Sequence, residues 1–157
     1  MPYFCANDPE ASSFQRRYTS DRAENTEFGI KARGDSFNVN ATYFMIDWTD
    51  IQIGIAPACG WSFQANGGEA ETSGVELDFS FALTDSLYVD FAGSFMSAET
   101  SVDMPSFGAV AGDRLPGSVE EQYNVGLSYE FVYDSKPSYA RMAVSYTHLT
   151  LPTIRWV

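Results

Sequence analysis

Two cysteines, one histidine and two closely spaced aspartates are the residues whose types could support chemistry in this chain of 157 residues. Cys5 and Cys59 are candidates for a disulfide, and Asp47 and Asp50 suggest a cation site or, more simply, a hydrated surface. His148 is the only histidine. The sequence contains no nucleophile elbow around a serine and no phosphate-binding glycine loop. We therefore expect a protein that is not an enzyme and that has no cofactor and no metal centre.

The only histidine lies in a stretch that does not look biological. Val144–Thr153 reproduces the translation of a transposase-based sequencing adapter, and the adapter frame reaches a stop codon directly after Val157. We expect residues 144–157 to be a non-native, adapter-derived tail and residues 1–143 to be the native part. The alternative is a natural strand followed by a proline-containing turn. With His148 in the tail, the sequence supports no histidine-based site.

The bulk composition excludes several classes of protein. The formal net charge of −12 argues against nucleic acid, because phosphate binding requires clusters of lysine and arginine. No apolar run approaches the roughly 18–20 residues of a transmembrane helix. No signal peptide is recognisable, which for an exported protein suggests that the natural start lies upstream. Aromatic residues make up 15% of the chain, led by 12 Phe and 9 Tyr, and this composition favours strands with one polar and one apolar face.

Strict alternation of apolar and polar residues is the main structural signal. It runs through five segments, 27–32, 37–43, 74–83, 87–95 and 122–131. Alternation with a period of two places successive side chains on opposite faces of a strand. The segments therefore predict strands that each have one apolar and one polar face.

The links between these segments alternate between short and long. Residues 33–36, 84–86 and 134–137 are tight turns, whereas residues 54–66 and 102–120 are long and rich in Gly, Pro, Ala and Ser. We predict an all-β fold with about six strands in an antiparallel up-and-down meander. Short turns at one end and long loops at the other are typical of transmembrane barrels and uncommon in soluble sandwiches. We therefore expect part of a larger transmembrane β-barrel.

In a membrane barrel the two faces of each strand meet different surroundings. Acidic side chains are costly against lipid, so they should face the lumen. The acidic residues expected to face the lumen are Glu27, Glu76, Asp78, Asp90 and Glu130. The candidates for the aromatic girdles at the membrane interfaces are Tyr43, Phe44, Trp48, Tyr88 and Tyr129.

Four short motifs, in this order, resemble the barrel of TonB-dependent outer-membrane receptors. Glu24–Lys31 is similar to the family's strand x-x-x-E-x-G-x-K, and Asn40–Gln52 reads N-A-T-Y-F-M-I-D-W-T-D-I-Q, similar to N-A-x-x-F-x-I-D-W-x-D-I-Q. Asn66–Leu77 resembles N-A-G-x-A-x-x-x-G-V-E-L, with Gly67 where alanine is usual. Gly112–Pro116 resembles G-x-R-L-P. Each motif is weak alone, but the ordered set is specific for the C-terminal part of such a barrel.

The resemblance implies a function that composition and spacing do not. It implies the bacterial outer membrane, a barrel of about 22 strands with a plugged lumen, and active uptake of a scarce small molecule such as a ferric siderophore. It also implies energy coupling through a TonB-type protein, which would contact a plug region outside this chain. Two alternatives stay open: a passive porin-like outer-membrane barrel, and a soluble all-β binding or adhesion domain.

The resemblance also bears on the two cysteines. Cys5 precedes the first predicted strand and Cys59 lies in the long link after the second strand. Adjacent antiparallel strands would bring these two links to the same outer surface, which is an oxidising environment. We expect a Cys5–Cys59 disulfide; the alternative is two unrelated thiols.

Overall fold

The computed structural model describes residues 18–55, 60, 62–105 and 108–149. The described part of the chain contains eight β-strands and no α-helix, which confirms the predicted all-β class, with two short strands more than the six predicted. Within it, no helix has the length and apolarity needed to cross a membrane. The strands are β1 (Arg22–Arg33), β2 (Phe37–Thr49), β3 (Gln52–Ile55), β4 (Phe63–Asn66), β5 (Ala70–Thr84), β6 (Leu87–Thr100), β7 (Val119–Tyr133) and β8 (Lys136–Leu149).

Six of the strands form one sheet, and they do so in the order of the chain. The order is β1-β2-β5-β6-β7-β8, so the predicted antiparallel meander is confirmed. The remaining two strands, β3 and β4, form a separate antiparallel hairpin. This hairpin occupies much of the link predicted as a long loop. Strands of four residues are too short for alternation to identify them in a sequence.

A two-residue turn joins β7 to β8 and shows how local sequence sets the meander. Asp134 and Ser135 both adopt positive φ, at 49° and 60°, and Tyr133 pairs directly with Lys136. Two successive residues with positive φ give the turn whose twist matches the twist of antiparallel strands. Aspartate tolerates this conformation better than most residues, which is why the tight turn is predictable.

Strand register keeps like side chains together across β6, β7 and β8. Phe91 on β6 lies opposite Val125 on β7, which in turn lies opposite Val144 on β8. Asp90 lies opposite Gly126 on the other face. A slip of one residue would move a whole apolar row to the polar face, so the alternation itself specifies the register. The alternation continues in phase through Val144, and β8 therefore crosses the predicted start of the tail without a break.

The chain divides into two compact units. The loop unit, as we call it, includes Ile46–Glu71 and Glu99–Leu115, together with the described residues before Asn25. The strand unit includes Asn25–Met45, Thr72–Ala98 and the described residues after Leu115. The buried side chains of the loop unit are Ile51, Ala65, Ala70, Thr100 and Met104, and those of the strand unit are Phe44 and Ala98.

Candidate functional site

An ion pair spans three strands on the polar face of the strand unit. Arg141 on β8 donates from Nη1 to Oδ1 of Asp90 and from Nη2 to Oδ2, both at 2.7 Å. Nη1 also donates to Oγ of Ser128 at 3.0 Å. This two-pronged geometry fixes the orientation of both groups, as Arg–carboxylate pairs do elsewhere.

The strand between the two charges carries a glycine, and this makes the ion pair possible. Asp90 is on β6 and Arg141 on β8, so the two side chains meet above Gly126 on β7. A Cβ at Gly126 would lie 2.5 Å from Nη2 of Arg141 and 2.6 Å from Oδ1 of Asp90, too close for non-bonded atoms. Glycine therefore leaves the space through which charges on two non-adjacent strands reach each other.

The same face carries further polar groups around an open concavity. Nδ2 of Asn40 on β2 donates to Oδ1 of Asp78 on β5 at 3.0 Å. Glu76, Asp78 and Gln122 are among the residues that line the concavity, whose volume is about 430 Å³. The carboxylates of Asp78 and Asp90 are thus hydrogen-bonded on the face predicted for them. Such a face suits a hydrated or protein-filled lumen and not a lipid surface.

Two motif residues, Phe44 and Gly74, contact each other on this polar face. Phe44 is only 9% exposed, and a Cβ at Gly74 would lie 2.8 Å from its Cζ. The same Cβ would lie 2.6 Å from the backbone oxygen of Phe95 and 2.7 Å from Cβ of Met96. The absence of a side chain at Gly74 therefore makes room for the Phe44 ring. The motif phenylalanine and the motif glycine form one packing unit.

Two of the residues predicted for the aromatic girdle, Phe44 and Tyr88, lie on the polar face instead. Phe44 packs on the polar face, and Tyr88 lies opposite Ser128 on the same face and donates its hydroxyl to the backbone oxygen of Asp85 at 3.1 Å. These two predictions are wrong, because an aromatic residue near a strand end can belong to a girdle only if it has the parity of the apolar face, and both residues have the parity of the polar face. Tyr43 and Tyr129 are exposed and keep the parity of the apolar face.

The apolar face of the strand unit carries many exposed large side chains, whereas those in its middle, such as Phe79 and Phe91, are half-buried among their neighbours. Phe28 and Ile30 on β1 are 70% and 74% exposed. Six aromatic rings cross this face in an unbroken row with centroid separations of 4.9–6.3 Å. The row consists of Phe37, Phe81, Phe79, Phe91, Tyr123 and Tyr146. An apolar surface of this extent would promote aggregation or binding if it were exposed to water. Contact with lipid removes it from water.

In the loop unit, the side chain of Asn66 joins three chain segments. Its Nδ2 donates to the backbone oxygens of Asp50 and Thr19, at 2.6 and 3.0 Å. Its Oδ1 accepts from the backbone N–H of Thr19 at 2.6 Å. Trp48, another girdle candidate, donates its indole N–H to Oδ2 of Asp21 at 2.8 Å. Motif residues of the loop unit thus serve to fasten the chain that enters β1.

The link between β6 and β7 contains the glycine of the fourth motif, Gly112, and the backbone conformation at this position explains why a glycine is found there. Gly112 has a φ of 87°, in the left-handed region that residues with side chains rarely adopt. Its N–H donates to the backbone oxygen of Thr100 at 2.7 Å, and the Thr100 hydroxyl donates to the backbone oxygen of Val110 at 2.6 Å. Met104 is 7% exposed, and its Sδ occupies the space next to Gly68.

The remaining predicted site residues are not brought together as a chemical site. Cys5 and Cys59 lie outside the described residues, so their pairing stays a prediction. Asp47 and Asp50 are exposed. Among the residues that the structure describes, no group of three or more His, Cys, Asp or Glu side chains is placed to hold a metal ion. The ion pair of Arg141 was not predicted; the available signal was a basic residue with inward parity on β8.

Comparison with known proteins identifies the barrel to which this sheet belongs. A family model described as a TonB dependent receptor-like β-barrel matches residues 11–151. The chain belongs to this family. The resemblance carried by the four motifs is thereby confirmed, and the amphipathic sheet is a segment of a TonB-dependent receptor barrel. Receptors of this family are outer-membrane proteins that serve transport and not catalysis.

Solved structures of three metal-uptake proteins show the same fold. The ferric yersiniabactin uptake receptor FyuA from Yersinia pestis is similar over 83% of this chain and 19% of its own, with 17% identity and a TM-score of 0.65. The FrpB iron transporter from Neisseria meningitidis (F3-3 variant) is similar over 76% and 18%, with 21% identity and a TM-score of 0.56. The copper transporter OprC is similar over 71% and 17%, with 21% identity and a TM-score of 0.56.

The chain therefore spans less than a fifth of the length of these receptors. At these identities the likeness concerns the fold. No curated protein has a significant sequence match to the chain.

Proposed function

We propose that this chain is a wall segment of an outer-membrane receptor that actively imports a scarce, metal-containing small molecule, a ferric siderophore being the expected ligand. The observation that carries the proposal is the family match over residues 11–151, on a sheet with one lipid-compatible and one polar face. The energy source is a TonB-type protein that acts on a part of the receptor outside this segment.

The ligand class is supported by the relatives. Two of the similar structures are described as an iron transporter and a ferric yersiniabactin uptake receptor, and a third as a copper transporter. The polar face contributes hydrogen-bonding side chains and charges, such as Asp78, Asp90 and Arg141, that remain stable in a filled or hydrated lumen. An iron compound is therefore the better supported ligand, and the experiment below distinguishes it from a copper compound.

The experiment uses the full-length gene that contains this segment. The gene is deleted and restored in its host, and uptake of radioactive iron is measured with a panel of ferric siderophores under iron limitation. Saturable uptake that requires both the gene and TonB is the expected result. Uptake that needs the gene but not TonB would indicate a passive porin. If the gene supports uptake of copper but not of iron, the ligand is a copper compound and not a ferric siderophore. If the protein is recovered in the soluble fraction, it is not an outer-membrane receptor.

We also propose that residues 144–157 are adapter-derived and that the native segment ends at Ala143. The pairing of Val144 and Tyr146 with β7 does not decide this, because a strand accepts any sequence that alternates in phase. Long-read sequencing of the source DNA tests the proposal. The expected result is a different coding sequence after the codon for Ala143, continuing in further alternating strands. The same codons through Val157 in the genome would contradict it.

A further inference from the structure

The four residues that lead into β1 belong to the loop unit and are attached to the rest of it in an unusual way. We call Tyr18–Asp21 the strap. All four residues are exposed, with Tyr18 at 53%. Among the described residues, side-chain hydrogen bonds attach the strap, and no backbone–backbone hydrogen bond does so. The strap buries none of its side chains in the core of the loop unit.

Asn66 on β4 forms the centre of the attachment. Its amide pairs with the backbone of Thr19 on both sides: Oδ1 accepts from the Thr19 N–H at 2.6 Å, and Nδ2 donates to the Thr19 oxygen at 3.0 Å. The Thr19 hydroxyl also donates to Oδ1 at 3.2 Å. A side-chain amide has the donor and the acceptor of a peptide group, so Asn66 pairs with Thr19 as a neighbouring strand would. Gln52 adds a second donor to the Thr19 oxygen at 3.1 Å.

The rest of the loop unit is held by different forces. The base of the β3–β4 hairpin is closed by a backbone hydrogen bond from Ile51 N–H to the Gly68 oxygen at 2.9 Å. Ile51 and Met104 are 8% and 7% exposed, and both pack beside Gly68. Opening this part exposes apolar surface, whereas releasing the strap exchanges exposed hydrogen bonds for hydrogen bonds to water. The two parts therefore differ in how easily they open.

We propose that the strap is a releasable latch, which the Asn66 amide closes and which opens as a unit while the β3–β4 hairpin and the loop after β6 stay folded. The second contact of the Asn66 amide, to the Asp50 oxygen at 2.6 Å, keeps the amide oriented when the strap is released. The latch is a property of this segment, and it does not depend on which ligand the receptor carries.

The test is residue-resolved amide hydrogen exchange on the full-length receptor, followed at Thr19 and Ile51. The Thr19 amide donates to Asn66, so its exchange reports the latch directly. In the wild-type receptor we expect Thr19 to be protected but to exchange at least about tenfold faster than Ile51. The variant Asn66→Ala should abolish protection at Thr19 and leave Ile51 unchanged.

Gln64→Ala is the matched control. Gln64 has an exposed side-chain amide on the same strand, two residues from Asn66, and within the described part of the chain this side chain makes no hydrogen bond, although the Gln64 backbone pairs with Gly54. Its removal should leave both exchange rates at wild-type values. Asn66→Asp keeps the size and the acceptor of the Thr19 N–H, but it places a charged oxygen against the backbone oxygens of Thr19 and Asp50, and this repulsion should release the strap and lower protection at Thr19. If Asn66→Ala does not fold, Gln52→Ala removes one donor and should raise exchange at Thr19 by a smaller factor.

Three results would overturn the latch. Thr19 and Ile51 exchanging at one rate, and changing together in Asn66→Ala, would make the strap part of a single cooperative unit. A Thr19 amide that is unprotected in the wild type would mean that the strap is not fastened. If Thr19 is as well protected in Asn66→Asp as in the wild type, the pairing of the Asn66 amide with Thr19 is not what protects it. None of these results depends on transport, so failure of the proposed function would leave the test intact.

Discussion

Replacing Gly74 by alanine tests whether packing explains the glycine in the third motif. The new Cβ would lie 2.6 Å from the backbone oxygen of Phe95, 2.7 Å from Cβ of Met96 and 2.8 Å from the ring of Phe44. The first two atoms belong to, or are fixed by, the main chain of β6. They cannot rotate away, so the alanine forces β5 and β6 apart.

The magnitude follows from a comparison with a second glycine of the same face. Overpacking of this kind costs about 1–3 kcal/mol of unfolding free energy. At Gly29 a Cβ would meet only Oγ1 of Thr42 at 3.3 Å and the backbone oxygen of Ala41 at 3.6 Å. Alanine requires the Thr42 hydroxyl to move by a few tenths of an ångström, and once it has moved, alanine stabilises by about 0.4–1 kcal/mol because it lowers the conformational entropy of the unfolded chain. The two alanine variants should therefore differ by roughly 1.5–4 kcal/mol.

The assay is urea unfolding of the full-length receptor in lipid or detergent, with Gly29→Ala as the matched control. We expect Gly74→Ala to lower the unfolding free energy and Gly29→Ala to leave it unchanged or raise it. The double variant Gly74→Ala/Phe44→Leu should recover only part of the loss, because the contacts with β6 persist. Equal stability of the two alanine variants would refute the packing argument. Full recovery by Phe44→Leu would assign the strain to the ring instead of the backbone.

Two further predictions concern the ion pair and the cysteines. Gly126→Ala should separate Asp90 from Arg141, whose exposed ends can move away from the new Cβ, and lower the unfolding free energy by roughly 0.2–1 kcal/mol through the loss of this exposed ion pair. The urea midpoint of the full-length receptor measures this, and a midpoint equal to wild type would contradict the geometry. Peptide mapping of the native receptor without reductant should yield Cys5 and Cys59 in one linked peptide, and reduction should lower stability by about 4 kcal/mol. If both cysteines are found as free thiols, the predicted disulfide does not exist.

Much of the fold follows from the sequence, because alternation and turn chemistry are local. The polar and apolar rows of β7 specify both the strand and its register, since a slip of one residue would bury the wrong face. Asp134 and Ser135 specify a tight turn by their tolerance of positive φ. The four motifs added the family, which composition alone does not provide.

Other features depend on partners that are distant in the chain, and sequence alone does not identify these partners. The sequence predicts a loop where the β3–β4 hairpin forms, because alternation over only four residues is too short a run to identify a strand. The sequence does not show that Phe44 packs beside Gly74, because Gly74 lies 30 positions further along the chain.

The sequence by itself determined the all-β class, the meander and the two chemically distinct faces of the strands. These follow from the period of two and from the turns, which involve neighbours in the chain. Only the tertiary structure decided that Asp90 and Arg141 meet above Gly126, and that Asn66 pairs with the backbone of Thr19. The physical reason is that these contacts join side chains across one or more strands, and only the assembled sheet and its folded loops bring such groups within hydrogen-bonding distance.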